Sequence, residues 1–212
     1  MFAIEPRVYL IILCMGKLIT IVGVSGVGKT ALVHALTSAY PFQTAYESHA
    51  ERPFQALLKE DRRYALANQI DYLLLCAEQE TQLRASPAIG LMDSGLDLDF
   101  HGFTRLFHHR GLLTDAEFGL CGRLYSLLRE TLSHPELIVH LCADERTVAR
   151  RLAMRKRINI ASAEDTALFH SFLEEWLASV PPDQVLELDV SDEPTDYDRS
   201  VALILDTLNK LP

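Results

Sequence analysis

The stretch Gly23-Val24-Ser25-Gly26-Val27-Gly28-Lys29-Thr30 decides the fold of this chain. It fits the phosphate-loop pattern G-x-x-x-x-G-K-[ST] at every required position. An apolar, β-branched run at 18–22 precedes it and predicts a buried strand, and residues 28–39 predict a helix. A strand, a glycine-rich turn and a helix N-terminus together aim backbone N–H groups at an anion. The sequence therefore predicts a site for a nucleoside triphosphate.

Each part of this loop has an expected role in holding ATP. Lys29 supplies a positive charge for the β- and γ-phosphates, and the hydroxyl of Thr30 is a ligand for Mg²⁺. ATP and Mg²⁺ are therefore the expected cofactors. The residues that we expect to contact ATP form one run: Gly23, Ser25, Gly26, Val27, Gly28, Lys29, Thr30 and Ala31.

Length and charge narrow the class of protein. The chain has 212 residues, of which 49% are hydrophobic, and this size suits one α/β domain. The net charge of −9 argues against a broad nucleic-acid surface, so we expect no nucleic-acid partner. Lys17 interrupts the apolar N-terminal region, and we therefore expect no membrane span or membrane partner.

The cysteines and the N-terminus carry weaker signals. The four cysteines are scattered without a C-x-x-C pair, which indicates neither a zinc site nor a disulfide framework. Reduced thiols in a cytoplasmic protein are the expectation. Met15-Gly16-Lys17 resembles a natural start, so we expect residues 1–14 to be an extension, not native to the domain, that adds little to function. Residues 15–212 are expected to form a single domain.

Apolar runs and helical patterns alternate along the chain. The predicted strands are 18–22, 42–46, 88–92, 136–142 and 185–190. The predicted helices are 28–39, 62–84, 99–109, 114–132, 144–157, 163–178 and 195–210. This alternation predicts a five-stranded parallel sheet with helices on both faces, the three-layer α/β fold of P-loop kinases.

Two acids follow predicted strands, at the sheet edge where active sites of such folds lie. Glu47 comes directly after the strand that ends at Tyr46, and Asp93 comes directly after the apolar run 88–92. An apolar strand that ends in an acid is typical of the carboxylate that positions Mg²⁺ or its water in phosphoryl transfer. The alternative for each is a solvated acid at a strand end.

Basic residues cluster on the helix predicted after strand 136–142. Arg151 and Arg155 are four residues apart and share a helical face, and Arg157 follows them. A guanidinium group suits phosphate oxygens, so this segment is interpreted as an arginine-bearing lid over the triphosphate. A solvated helix face with i,i+4 ion pairs is the alternative.

Together these features resemble the deoxyribonucleoside kinase family, particularly its bacterial deoxyadenosine/deoxyguanosine kinase members, over most of residues 17–190. Beyond the phosphate loop, the matching motifs are Tyr46-Glu47 followed by Pro53, Glu60 to Leu66 followed by Gln69, Met92-Asp93-Ser94-Gly95, and the lid arginines. The resemblance implies an ATP-dependent kinase that phosphorylates the 5′-hydroxyl of a nucleoside. It also implies a homodimer that pairs helices, for which 62–84 and 114–132 are the candidates.

The resemblance implies a role for each matching residue. On the acceptor side, Glu47 is the general base, Gln69 reads the edge of the base, Asp99 helps to form the base site, and Tyr46 contacts the substrate. On the donor side, Lys29 with Arg151 and Arg155 holds the transferring phosphoryl group, and Arg157 contacts ATP. Thr30 and Asp93 place Mg²⁺.

The acceptor side departs from the family pattern. Ser94 and Cys76 stand where the family has arginines, Leu58 aligns with its sugar-binding tyrosine, and Ile158 stands in place of an acid after the lid. Two alternatives therefore stay open. One is a nucleoside monophosphate kinase of thymidylate-kinase type, which needs a further arginine such as Arg62, Arg63, Arg84 or Arg105. The other is a nucleotide-binding protein with a degenerate acceptor site.

Overall fold

A five-stranded parallel sheet carries the phosphate loop. The computed structural model describes residues 16–45, 52–154 and 163–211. The strands are β1 (Leu18–Val22), β2 (Gln43–Ala45), β3 (Gly90–Asp93), β4 (Leu137–Cys142) and β5 (Val185–Asp189). Their order is β2-β3-β1-β4-β5 and every neighbouring pair is parallel, which confirms the predicted sheet. All residues of the central β1 are buried, as its continuous apolar run requires.

Helical segments connect the strands. They are α1 (Lys29–Ala39), α2 (Pro53–Glu60), α3 (Ala65–Arg84), α4 (Leu96–Leu98), α5 (Arg105–His109), α6 (Asp115–Thr131), α7 (Glu145–Met154), α8 (Ala163–Leu177) and α9 (Asp198–Leu208). A π-helical turn, Asp99–Thr104, joins α4 to α5, and short 3₁₀ turns occupy Arg62–Tyr64 and Pro182–Gln184. None of the helices in the described part of the chain combines the length and apolar character needed to span a bilayer.

Side chains alternate along each strand and so divide the sheet into two faces. Leu18 and Met92 lie on one face, against Leu83 of α3. The β1–β4 register places His140 on this same face, where it approaches Glu174 of α8. Helices α1 and α9 pack together on the opposite face. The result is the predicted three-layer arrangement.

The structure corrects several predicted boundaries. Helix α2 was not predicted, because it is short and has no fully buried residue to give a clear apolar period. The helix predicted at 62–84 begins with a 3₁₀ turn, where the Asp61 carboxylate accepts a hydrogen bond from the Arg63 N–H at 2.9 Å. The helix predicted at 99–109 is π-helical over its first six residues. Asp93 is the last residue of β3 rather than the residue after it.

Charged side chains are buried beneath the sheet, beginning with Arg84 at the end of α3. Arg84 is 2% exposed and contacts Glu80 at 3.3 Å and Glu136 at 3.1 Å. It also donates to two backbone carbonyls just before β4, at 2.8 and 2.9 Å. Glu136 in turn accepts the Leu18 N–H at 2.6 Å. Arg84 therefore fastens the end of α3 to the beginnings of β1 and β4.

Arg129 of α6 continues this system. Its guanidinium group donates to both oxygens of Glu80, at 2.9 and 3.0 Å, and to both oxygens of Asp97, at 2.9 and 3.1 Å. The Tyr125 hydroxyl donates to Asp97 as well, at 2.7 Å. We call Glu80, Arg84, Asp97 and Arg129 the buried charge network. A buried charge is tolerated only when it is paired and hydrogen-bonded, and each member of this network is.

His101 lies in the π-helical turn beside this network. Its ring stacks on Trp176 of α8 with centroids 5.3 Å apart and planes 7° apart. Burial lowers the pKa of His101 to about 4, so the ring is neutral at pH 7. Because Tyr125 donates its proton to Asp97, the neutral ring donates from Nε2 to the Tyr125 oxygen, 3.2 Å away. The turn is thereby joined to both α6 and α8.

We expect Arg129→Met to lower the free energy of unfolding by about 3–5 kcal/mol, because the buried carboxylates of Glu80 and Asp97 lose their shared cation. Urea denaturation followed by circular dichroism measures this change. The control is Arg146→Met on the exposed side of α7, which should stay within about 0.5 kcal/mol of the unmodified protein. Equal stability of the two variants would contradict a structural role for the network.

Candidate functional site

The phosphate loop reaches α1 through a backbone conformation that favours glycine. Gly28 is the N-cap of α1, with φ 118° and ψ 13°. A Cβ atom on Gly28 would lie 2.1 Å from the Tyr197 hydroxyl oxygen, and one on Gly23 would lie 2.6 Å from the Leu141 carbonyl oxygen. Neither position has room for a side chain. The N–H groups in the first turn of α1 have no intrahelical acceptor, which is the arrangement that binds anions.

The ammonium group of Lys29 lies against this loop. Its Nζ donates to the carbonyl oxygens of Gly23 at 3.0 Å and Val24 at 3.3 Å. A phosphate group in the loop would compete with these carbonyls for the same cation. The other predicted contacts, Ser25, Gly26, Val27 and Ala31, lie in the same turn and the beginning of α1. The structure thus brings the predicted ATP-binding run together.

Thr30 and Asp93 meet beside the loop. The Thr30 hydroxyl donates to Asp93 Oδ2 at 2.6 Å, and Asp93 ends β3 opposite Ile21 of β1. Asp93 is 2% exposed, and its second oxygen, Oδ1, is buried with no hydrogen-bond partner in the described parts of the chain. A hydroxyl and a carboxylate oxygen are ligands of the kind Mg²⁺ takes, and a buried carboxylate oxygen needs a partner. The two residues therefore fit a magnesium site.

Arg151 of α7 reaches the phosphate loop from another side. Its guanidinium group donates to the carbonyl oxygen of Val27 and, at 3.0 Å, to that of Val190 just after β5. It thereby joins α7, the phosphate loop and the segment that leads to α9. Its neighbours in the predicted lid, Arg155 and Arg157, lie outside the described residues.

The residues predicted for the acceptor side, Gln69 and Asp99, lie in α3 and the π-helical turn. Gln69 is 2% exposed; its Nε2 donates to the Thr104 hydroxyl at 2.9 Å, and its Oε1 accepts from Asn68 at 3.2 Å. Asp99 begins the π-helical turn that also contains Thr104, and both are buried. Sequence reasoning identified Gln69 and Asp99 but missed Thr104, because nothing local links residues 35 positions apart. The structure brings the three to one region.

The segment after Asp93 has an unusual backbone. Ser94 has φ 77° and Gly95 has φ 116°, so the chain takes left-handed conformations at two successive residues as it leaves β3. For serine this conformation is strained. Ser94 stands at the position where the resemblance leads us to expect an arginine. Its backbone N–H donates to the Ile21 carbonyl at 2.9 Å, which keeps the turn against β1.

Other predicted site residues lie outside the described residues. These are Tyr46 and Glu47, which follow the end of β2 in sequence. Ala45, the last described residue before them, pairs with Met92, the neighbour of Asp93. The chain therefore leaves β2 next to the Thr30–Asp93 pair.

The chain matches the model of a known protein family. The family model described as deoxynucleoside kinase matches residues 19–211. This range includes the phosphate loop, the acceptor-side helices and the segment after β5.

Individual relatives agree with this match. The chain is 25% identical over 194 residues to a deoxyadenosine kinase of Dictyostelium discoideum, covering 82% of this chain and 78% of that protein. It is 23% identical over 182 residues to a deoxyadenosine/deoxycytidine kinase of Bacillus subtilis, covering 83% of each. Among solved structures, deoxyadenosine kinase from M. mycoides with dCMP and dCDP bound has a similar fold, with a TM-score of 0.76. The two sequences are 18% identical, and the match covers 92% of this chain and 100% of that one.

We expect Gly28→Ala to weaken ATP binding by about tenfold or more, because the left-handed backbone strains any side chain by about 1–3 kcal/mol and the methyl group meets Tyr197. Isothermal titration calorimetry with a non-hydrolysable ATP analogue measures the affinity. Gly119→Ala is the matched control, since a Cβ there meets no atom within 4 Å and the residue lies within α6. Unchanged affinity in the folded Gly28 variant would show that this position does not shape the site.

Proposed function

The chain belongs to the deoxynucleoside kinase family, which makes it an ATP-dependent nucleoside kinase, and we propose that it transfers the γ-phosphoryl group of ATP to the 5′-hydroxyl of a deoxynucleoside. The family match over residues 19–211 carries this proposal, because it spans both the phosphate loop and the acceptor-side helices. The names of the two sequence relatives make deoxyadenosine and deoxycytidine the first acceptors to test.

On the donor side, the phosphate loop and Lys29 hold the β- and γ-phosphates of ATP. Lys29 exchanges its contacts with the Gly23 and Val24 carbonyls for phosphate oxygens. Arg151 already lies against the loop, and we propose that it and Arg155 stabilise the charge on the transferring phosphoryl group, while Arg157 contacts ATP. The support for Arg151 is its bond to the Val27 carbonyl.

Thr30 and Asp93 are the proposed holders of Mg²⁺. The support is the buried, unpartnered Oδ1 of Asp93 next to the Thr30 hydroxyl. When bound, Mg²⁺ would neutralise charge on the β- and γ-phosphates. The Asp93 carboxylate would keep the hydrogen bond from the Thr30 hydroxyl, which fixes the first turn of α1 relative to β3.

Glu47 is the proposed general base. Its carboxylate would take the proton of the acceptor 5′-hydroxyl as that oxygen attacks the γ-phosphorus, and ADP would leave with the electrons of the broken bond. The support is the exit of the chain from β2 beside Met92 and Asp93. Tyr46 would contact the same substrate.

Gln69 and Asp99 are the proposed contacts for the base of the nucleoside. Thr104 and Asn68 hold the Gln69 amide in one orientation, which suits a group that reads the edge of a base. Because Ser94 and Cys76 replace arginines of the family pattern, the choice of base rests on Gln69 and Asp99 more heavily than in members that keep those arginines.

The described contacts favour a nucleoside over a monophosphate as acceptor. A monophosphate kinase needs a further arginine, and the four candidates were Arg62, Arg63, Arg84 and Arg105. Arg84 belongs to the buried charge network, and Arg63 pairs with Asp61 at 2.7 Å. Arg105 pairs with Glu175 at 2.6 Å and covers the Phe172 ring at 4.3 Å. Arg62 donates to a backbone carbonyl at 3.3 Å. Arg84 is thus fixed in the core, and Arg63 and Arg105 would have to give up an ion pair to bind a phosphate. The carbonyl contact of Arg62, like those of Lys29, does not exclude a phosphate.

We also propose that two copies pair through α3 and α6. These helices pack side by side and carry three of the large exposed apolar side chains: Leu74 at 41%, Leu120 at 38% and Leu127 at 58% exposure. Apolar residues gathered on adjacent helices support an interface between copies.

We expect Glu47→Gln to reduce kcat by about a hundredfold or more while ATP binds nearly as well, because the variant keeps the shape of the side chain but loses the base. A coupled assay of ADP release, together with calorimetric titration of the ATP analogue, separates these two effects. The control is Glu130→Gln on the exposed side of α6. Full activity of the Glu47→Gln variant would show that Glu47 is not the general base.

A panel of acceptors distinguishes the proposal from its alternatives. We expect ATP-dependent phosphorylation of at least one deoxynucleoside, and a rise in Tm when that nucleoside is added with the ATP analogue, since ligand binding stabilises the folded state. Turnover of monophosphates but not of nucleosides would instead identify a monophosphate kinase. Tight ATP binding without turnover of any acceptor would identify a degenerate site.

A further inference from the structure

Three metal-ligating side chains meet where β4 and β5 pair, on the face of the sheet opposite Asp93. His140 and Cys142 lie two residues apart on β4 and so share a face, and Glu187 of β5 pairs directly with His140. One ligand atom from each of the three lies within 4.8 Å of the others. We call His140, Cys142 and Glu187 the sheet-edge cluster.

The distances in this cluster suit a four-coordinate metal. Cys142 Sγ lies 3.6 Å from His140 Nδ1, and Glu187 Oε2 lies 3.7 Å from the same nitrogen. With metal–ligand bonds of 2.0–2.3 Å in a tetrahedron, neighbouring ligand atoms are about 3.3–3.7 Å apart. Cys142 Sγ is equally far, 3.6 Å, from His140 Nε2 and so lies over the ring. The half-exposed Cys142 and the exposed Glu187 would therefore have to rotate about their side-chain bonds to reach an ion at Nδ1.

Helix α8 supplies the outer partner that metal-bound histidines use. Glu174 Oε1 lies 3.8 Å from His140 Nε2, the ring nitrogen on the side away from Glu187. A ligating histidine commonly donates its second N–H to such a carboxylate, which fixes the ring and its tautomer. The same Glu174 oxygen lies 3.8 Å from His170 Nε2. These separations are longer than hydrogen bonds, so Glu174 lies near His140 as a carboxylate that would orient the ring once an ion is bound.

We propose that the sheet-edge cluster binds a divalent transition-metal ion of the zinc class, through His140 Nδ1, Cys142 Sγ and the Glu187 carboxylate, with Glu174 orienting His140. A donor set of nitrogen, sulfur and oxygen selects such ions over Mg²⁺ and Ca²⁺, which take oxygen ligands. Binding releases the thiol proton of Cys142, and the thiolate and carboxylate then balance the two positive charges. Water completes the fourth position.

This site is separate from the proposed magnesium site. Asp93 and α1 lie on the opposite face of the sheet from His140, so the two ions would not share ligands. The sheet-edge cluster instead connects β4 to β5 and, through Glu174, to α8. A metal here would fasten the outermost strand to the sheet and to the helix that covers it.

The test uses the full chain after treatment with a chelator. Cobalt(II) alone, added to this protein, should bind one ion per chain and produce a near-ultraviolet thiolate-to-cobalt band, and zinc alone should displace it and raise Tm. Cys142→Ser and His140→Gln should abolish the band. Glu174→Gln should keep the band but weaken binding by about tenfold, as expected for an orienting partner. The matched control is Cys76→Ala, a thiol on α3, which should keep the band.

Three results would overturn the proposal: no thiolate band in the unmodified protein, a band that survives in the folded Cys142→Ser variant, or displacement of cobalt by magnesium alone. Circular dichroism checks the fold of each variant. If Cys142→Ser does not fold, cobalt binding is measured in Glu187→Gln instead. The Glu187 side chain is 70% exposed, so this substitution leaves the core intact. Unchanged cobalt affinity in that variant would count against the site.

Discussion

The hydrogen bond from Thr30 to Asp93 connects the first turn of α1 with the end of β3, and the geometry of the proposed magnesium site depends on it. It forms only because β1 and β3 are paired in a register that places Asp93 opposite Ile21, next to the phosphate loop. A shift of one residue would move Asp93 to the other face of the sheet. The buried pairing of these two strands therefore sets the distance between the loop and the carboxylate.

The proposed acceptor side is held together by polar contacts instead of strand pairing. The π-helical turn that carries Asp99 and Thr104 lies between helices whose contacts are strongly polar, through the buried charge network and the stacked His101 and Trp176. Burying charged groups costs desolvation free energy, and their mutual attraction offsets this cost only when the groups are well aligned. The region is thereby held in a particular shape, which suits a pocket that must distinguish one base from another.

Sequence alone predicted the five strands, the phosphate loop and the strand that leads to Asp93, because each of these signals is local. It missed α2, whose apolar positions are only half-buried, and the π-helical turn, which has no sequence period of its own. It treated Arg84 as a candidate ligand for phosphate, although the structure pairs it with Glu80 inside the core. The sheet-edge cluster could not be predicted from the sequence either, because Glu187 lies beside His140 only through the β4–β5 register.

The two outer strands of the sheet expose backbone groups that another chain could pair with. One outer strand is β2, which is described up to Ala45. The other is β5, along which Glu187 and Asp189 are exposed and would repel the same strand of a second copy. The acidic side chains on β5 thus protect the folded protein against aggregation through this edge of the sheet. A metal bound at the proposed sheet-edge cluster would neutralise the charge of Glu187 and so weaken this repulsion. The solubility of the chain would then depend on the metal content of its solution.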